Sequence, residues 1–211
     1  MNVELMDGKG INLADGSSAL DVCKSINNSL YKKTLAAKIN DKVSFLGCEV
    51  KEGDKLQFVS WEDEEGKDCL RHTASHVLAQ AVKRLYPDVK VAIGPAIENG
   101  FYYDFEFKNP ITSEDLPKIE KEMQKIIKEN IPVERYTMSR TDAIAYFKEK
   151  NEDYKVELIE DLPADAEISF FKQGDFTDLC AGPHVLSTGK VKYVKLMSLA
   201  GAYWRGNENN K

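Results

Sequence analysis

The 211 residues are 42% hydrophobic and 30% charged, with a formal net charge of −6. The balance is that of a globular protein, and the length fits one large domain or two small ones. The negative sign excludes a protein that coats nucleic acid through a general positive field, though not one that grips a nucleic-acid end in a local basic pocket.

No apolar run nears the roughly 20 residues of a membrane helix. The start, MNVELMDGKG, has no basic region ahead of an apolar core. Cys23, Cys48, Cys69 and Cys180 form no CxxC pair, which fits reduced thiols and a cytoplasmic setting.

The first sixty residues read as a module of their own. Val3–Met6 and Gly10–Leu13 flank the turn signal Asp7-Gly8. Ser17 or Ser18 caps a short helix through Ala19, Val22 and Ile26, and strand-like runs follow at Leu35–Ile39, Val43–Phe45 and Lys55–Ser60. That order predicts a small ubiquitin-like β-grasp domain over residues 1–62. The acidic stretch Trp61–Asp68 reads as a linker.

The second region, residues 63–211, predicts a larger α+β domain with helices packed on a mostly antiparallel sheet. A helix is expected from Cys69 to Tyr86, ended by Pro87, with Leu70, Ala74, Val77, Leu78, Ala81 and Leu85 on one face. Strands are expected at Val89–Ile93 and Phe101–Phe107, and an amphipathic helix from Ser113 to Glu129. A third helix is expected over Thr141 to Lys150, capped by Thr141 or Asp142, with short strands and turns from Lys155 onward. The end, Gly206–Lys211, closes no core, so the parent chain is expected to continue.

The chemistry concentrates in three histidines. His72 and His76 stand at i and i+4 on the first long helix, side by side and pointing away from its apolar stripe. His184 follows Cys180 by four residues in Asp178-Leu-Cys-Ala-Gly-Pro-His, where Gly182 and Pro183 impose a loop. Three imidazoles and a thiol fit a tetrahedral zinc set. They equally fit a metal-free acid–base cluster, since imidazole moves protons near neutral pH. A Cys180 thiolate acting as nucleophile is a rival with no evident oxyanion motif, and each histidine taken alone fits an ordinary surface or core role.

In Gly94–Asp104 the adjacent Tyr102 and Tyr103 alternate faces if extended, so one phenol can line a pocket. Lys155 can offer a cation to a phosphate or ester oxygen, and Asp178 can orient a histidine or hold a ribose hydroxyl. Each also fits an ordinary surface role. Lys190, Lys192 and Lys195 alternate as on a strand, a face that can meet RNA backbone or guard a sheet edge.

Taken together, RHTASHVLAQAV, AIGPAIENGFYYDF, DLCAGPHV and AGAYWRGNENNK resemble the amino-terminal region of bacterial-type threonyl-tRNA synthetases, over nearly the whole chain. The resemblance implies a TGS domain followed by an editing domain that hydrolyses mischarged seryl-tRNA(Thr) at the tRNA 3′ end. It implies His72 and His184 as proton-transfer groups, with His76 and Cys180 completing the cleft. It further implies Gly94, Tyr103, Lys155 and Asp178 as contacts to the substrate or terminal adenosine.

Alanyl-tRNA synthetase editing domains share the four-residue set in association with zinc, whereas the threonyl resemblance implies no obligatory metal. ATP, magnesium and zinc are implied only for the catalytic core expected beyond Lys211. A monomer is expected for this piece and a homodimer for the whole enzyme. A non-catalytic tRNA-docking or regulatory module and a zinc-dependent alanyl-type trans-editing deacylase are the alternatives.

Overall fold

A computed structural model describes residues 1–211. The architecture is α+β, with a mixed sheet in the first region and antiparallel pairing in the second. The first region has β1 (Asn2–Leu5), β2 (Gly10–Asn12), α1 (Ala19–Ile26), α2 (Asn28–Lys33), β3 (Ala36–Ile39), β4 (Lys42–Ser44) and β5 (Lys55–Val59). Its sheet runs β2-β1-β5-β3-β4, with β1 and β5 parallel and the other pairs antiparallel.

Local chemistry sets these elements. Ser18 caps α1 in a capping box with Asp21. Asn40 and Asp41, at φ 50° and 66°, make the two-residue β3–β4 turn, which needs positive φ at both positions. Val22 of α1 packs on Val3, Ala37 and Leu56 of the sheet. The short helix α2 was not expected from the sequence. Asn27 caps it after α1 has ended.

The expected linker is largely absent. Glu64–Asp68 form the opening turns of α3 (Glu64–Leu85), so the helix starts five residues before Cys69. An acidic first turn suits the positive end of a helix dipole as well as it suits a loop. Short strands β6 (Lys90–Val91), β7 (Ala96–Ile97), β8 (Gly100–Phe101) and β9 (Phe105–Glu106) follow, then α4 (Leu116–Glu129). Helices α3 and α4 bury Val77, Ala81, Met123 and Ile126 in one core.

The remaining elements are β10 (Val133–Met138), α5 (Arg140–Glu149), α6 (Asp153–Asp161), β11 (Ile168–Gln173) and β12 (Phe176–Leu179). Strands β10, β11 and β12 form an antiparallel sheet. Successive residues of β11 face opposite sides, as strand geometry requires. Phe170 packs on Ala143, Phe147 and Ile159 of α5 and α6, while Phe171 packs on the other side. A buried amide pair ties α3 to β11: Gln173 Nε2 donates to Gln80 Oε1 at 2.8 Å and Gln80 Nε2 to the Gln173 carbonyl at 3.1 Å.

Three expectations are corrected here. The cap of α5 is Ser139, whose hydroxyl accepts from Asp142 N–H. Lys155 lies on helix α6, where no helix was expected. Lys190, Lys192 and Lys195 share no strand: Lys190 ends a short 3₁₀ turn, Lys192 has φ 61°, and Lys195 pairs with Glu120. No helix is long and apolar enough to cross a membrane.

The two regions meet without a gap. Leu35, Ala36 and Val59 of the first pack with Cys69 and Val185 of the second. A Cβ on Gly66 would overlap the Ser60 carbonyl. Alanine's intrinsic helix advantage of about 1 kcal/mol is smaller than an overpacking cost of about 1–3 kcal/mol. Gly66→Ala should therefore lower the urea midpoint, and a raised midpoint would show that the junction is loose.

Candidate functional site

Helix α3 and the loop after β12 build the site. The structure brings together all four residues singled out from their spacing: the donor atoms of His72, His76, Cys180 and His184 lie within 4.8 Å of one another. Cys180 Sγ sits 3.4 Å from His72 Nε2 and 3.2 Å from His184 Nε2, and the Gly182 N–H points at the same sulfur at 3.2 Å. The imidazoles of His76 and His184 have centroids 4.1 Å apart.

His72 and His76 do not share a solvent face. Residues Thr73 through Val82 of α3 are all buried, so the helix is covered on every side at this level. His76 and His184 are buried, while His72 and Cys180 are half-buried. His72 borders a cleft of ≈ 390 Å³ together with Cys69, Ile97, Gly182, Pro183 and, from the first region, Val43.

Thr73, which no sequence pattern marked, holds the two segments in register. Its hydroxyl donates to the Cys69 carbonyl at 2.8 Å and accepts from the Val185 N–H at 3.1 Å. His184 Nδ1 lies 3.1 Å from the same oxygen. The single hydroxyl proton goes to Cys69, so Nδ1 is the donor to Thr73 and Nε2 is left as an acceptor facing Cys180.

A second buried network lies beside the histidines. Tyr103 O–H donates to Asp178 Oδ2 at 2.5 Å, and Lys155 Nζ donates to the Tyr103 oxygen at 3.2 Å. Lys155 Nζ also lies 2.6 Å from Asp178 Oδ1, off the hydrogen-bonding direction. His76 Nε2 is 3.5 Å from Asp178 Oδ2. The ammonium of Lys155, only 2% exposed, is thus engaged with this protein's own carboxylate. Tyr102 points outward while Tyr103 is buried. Gly94 makes that possible: a Cβ there would overlap the Tyr103 ring, and the Gly94 carbonyl accepts from Ser75 Oγ at 2.6 Å. Glu152, also unmarked by sequence, anchors the start of α6 by accepting from Val91 N–H and Lys83.

Burial governs the titration of the cluster. It pushes His76 down to about 3 and His184 well below the usual imidazole range. His72 is also lowered, chiefly by burial. The same burial, with Asp178 nearby, pushes the Cys180 thiol up to about 12. Burial alone would raise Asp178, but the neighbouring Lys155 ammonium holds it below the usual carboxylate range. At neutral pH the three imidazoles and the thiol are uncharged, around one ion pair.

Residues 1–60 match the TGS domain model, and residues 168–211 match the model of the threonyl and alanyl tRNA synthetase second additional domain. The chain is 61% identical over all 211 residues to a threonine–tRNA ligase of Clostridium botulinum (strain Hall), 59% to that of Clostridium novyi and 56% to that of Clostridium tetani. Its whole length matches the amino-terminal region of threonine–tRNA ligases. The chain spans about a third of the length of these relatives, 33% in each case. The second model reaches Asp178, Cys180 and His184 but not the helix that bears His72 and His76.

The depressed imidazoles make a thermodynamic prediction. An unfolded histidine titrates near 6.5, so below that pH the unfolded chain binds protons that folded His76 and His184 refuse. Stability is therefore full above about 6.5 and falls as pH drops toward the folded values. At pH 5 His76 should cost about 2 kcal/mol, with His184 adding in the same direction, read from urea midpoints at pH 7.5 and 5. Equal midpoints would mean that these rings are not buried neutral.

Proposed function

We propose that this chain hydrolyses seryl-tRNA(Thr), as the proofreading part of a longer enzyme that joins threonine to tRNA(Thr) with ATP. In this reading residues 1–62 are the TGS β-grasp domain and residues 63–211 are the editing domain, its helices laid on an antiparallel sheet. The observation that carries it is the meeting of His72, which borders a cleft, with Cys180 and His184, beside the buried Tyr103–Asp178–Lys155 network.

The chemical need is clear. Serine lacks one methyl group of threonine, and such a difference is worth only about 1–3 kcal/mol in a binding pocket. A hydrolytic second site supplies the missing selectivity.

His72 is the group that reaches the cleft itself, and its lowered basicity leaves it neutral and ready to take a proton from water. The water oxygen bonds to the ester carbon, its proton passes to His72, and the bond to the tRNA 3′ oxygen breaks. The imidazolium so formed returns the proton to that oxygen. His184 does not line the cleft; it contacts Cys180, which in turn contacts His72. It acts by fixing the sulfur and accepting from it. Cys180 as a thiolate nucleophile is disfavoured, since its thiol stays protonated. Tyr103, Asp178 and Lys155, paired with one another and buried behind the histidines, fix the wall of the site, and the Gly94 backbone closes against the Tyr103 ring.

The donor set fits zinc in kind and number. Its spread of up to 4.8 Å needs only modest closing toward the roughly 3.3–3.8 Å edges of a tetrahedral site. A zinc ion held by all four of His72, His76, Cys180 and His184 would have a closed tetrahedral shell, so it would polarise a carbonyl or activate water only by adding a fifth ligand or releasing one of the four. The reaction proposed here uses protein groups alone, so zinc is not obligatory. ATP, magnesium and a further zinc belong to the catalytic core of the whole enzyme, which is a cytoplasmic homodimer in this reading. The piece itself is a monomer that binds the tRNA 3′ end.

The test uses the purified chain with seryl- and threonyl-tRNA(Thr). Seryl-tRNA(Thr) should be hydrolysed and threonyl-tRNA(Thr) spared, with His72→Ala slowing the reaction by about 10²–10⁴-fold. Chelator treatment should leave the rate unchanged. No hydrolysis above buffer would leave a tRNA-docking module as the reading, and a rate lost to chelator and restored by zinc would favour the alanyl-type mechanism.

A further inference from the structure

The first region touches the cluster from two directions. Val43 of β4 borders the cleft that His72 faces. Two residues later, Phe45 is buried edge-on against Phe171, ring centroids 5.5 Å apart and planes at 88°. Phe171 also lies against His184, centroids 4.5 Å apart and planes at 57°. A line of three rings thus runs from the first region through the sheet to the most deeply buried imidazole. The residues after His184 continue it: Val185 is buried among Leu35, Ala36 and Val59, and Leu186 packs near Phe45.

The backbone is shaped to admit these rings. A Cβ on Gly47 would come within 2.6 Å of the Phe45 ring, and one on Gly182 within 2.5 Å of the Phe171 ring. Both glycines therefore let a ring close in, one on each side of the junction. His184 also has a polar tether, the Thr73 oxygen at its Nδ1. The contacts at Nδ1 and Nε2 fix two points of the ring but leave rotation about the line that joins them. Contact with Phe171 opposes that rotation, and Phe45, packed edge-on against Phe171, limits how far Phe171 can shift, because closely packed interiors transmit such displacements.

We propose that Phe45 is a positioning residue for the hydrolytic site, acting through Phe171 to hold the His184 ring, and that the TGS-matching region forms the rear wall of that site. The inference rests on the hydrolysis proposed above for its kinetic part, and on geometry alone for its structural part. Phe45 touches no reacting atom. Its effect falls on turnover and leaves substrate capture unchanged, because the cleft rim is untouched.

The experiment uses the full 211-residue chain as Phe45→Ala and Phe45→Leu. The ¹³Cε1–¹H signal of His184, assigned by its loss in His184→Gln, reports ring position without any need for activity. Phe45→Ala should shift that signal, lower kcat for seryl-tRNA(Thr) by about 10- to 100-fold and leave KM within about twofold. Phe45→Leu, which refills most of the space, should restore both. An unmoved His184 signal in Phe45→Ala overturns the proposal, as does a moved signal with unchanged kcat. A wild-type chain without hydrolysis defeats the functional reading, while the His184 signal still decides whether Phe45 holds the ring.

Discussion

One hydroxyl joins the two halves of the site. Thr73 sits between His72 and Ala74 on α3, and its oxygen meets both His184 Nδ1 and the Val185 N–H, 111 and 112 residues away in sequence. Everything else in the cluster follows from that meeting. It sets the His184 tautomer, aims Nε2 at Cys180, and presses the following Val185 and Leu186 against the first region. A buried backbone N–H that loses its partner costs about 1–3 kcal/mol, so the loop has good reason not to wander.

The electrostatics are those of a dry pocket with a single charged pair. Neutral imidazoles and a neutral thiol need no counter-ions, so they can be packed against Phe171 and Phe176. The charge that the site does carry, Lys155 against Asp178, is kept where hydrogen bonds from Tyr103 and contact with His76 accompany it. Removing one partner of such a pair costs far more than the pair contributes, because the other is left charged in a poor solvent. The arrangement keeps proton-accepting groups uncharged at neutral pH and confines direct access to His72.

Much of this was legible in the residues. The spacings HxxxH and CxxxH carry the cluster, because helix periodicity places His72 and His76 side by side and Gly182-Pro183 bends the chain around Cys180. The β-grasp order was legible because its turns and the Ser18 cap are local. What escaped depends on contacts distant in sequence or on ambiguous local signals. Glu64–Asp68 read as a linker because an acidic stretch suits both a loop and a helix start. Lys155 read as a cation free for substrate or solvent, because nothing local reveals that Asp178 waits for it. Thr73, Phe45 and Glu152 are ordinary residues whose work is defined by partners more than 50 residues away. The alternation of Lys190, Lys192 and Lys195 misled, since a period of two means a strand only where a partner strand exists.

The most direct measurement is single-turnover hydrolysis of seryl-tRNA(Thr) by Thr73→Val, a change that keeps shape and puts a methyl group in place of the hydroxyl. If that oxygen holds the loop to the helix, the variant should remain folded and hydrolyse at least about tenfold more slowly than the unaltered chain. A folded Thr73→Val that works at the unaltered rate would contradict the account, because the helix and the loop would then form the site without their link.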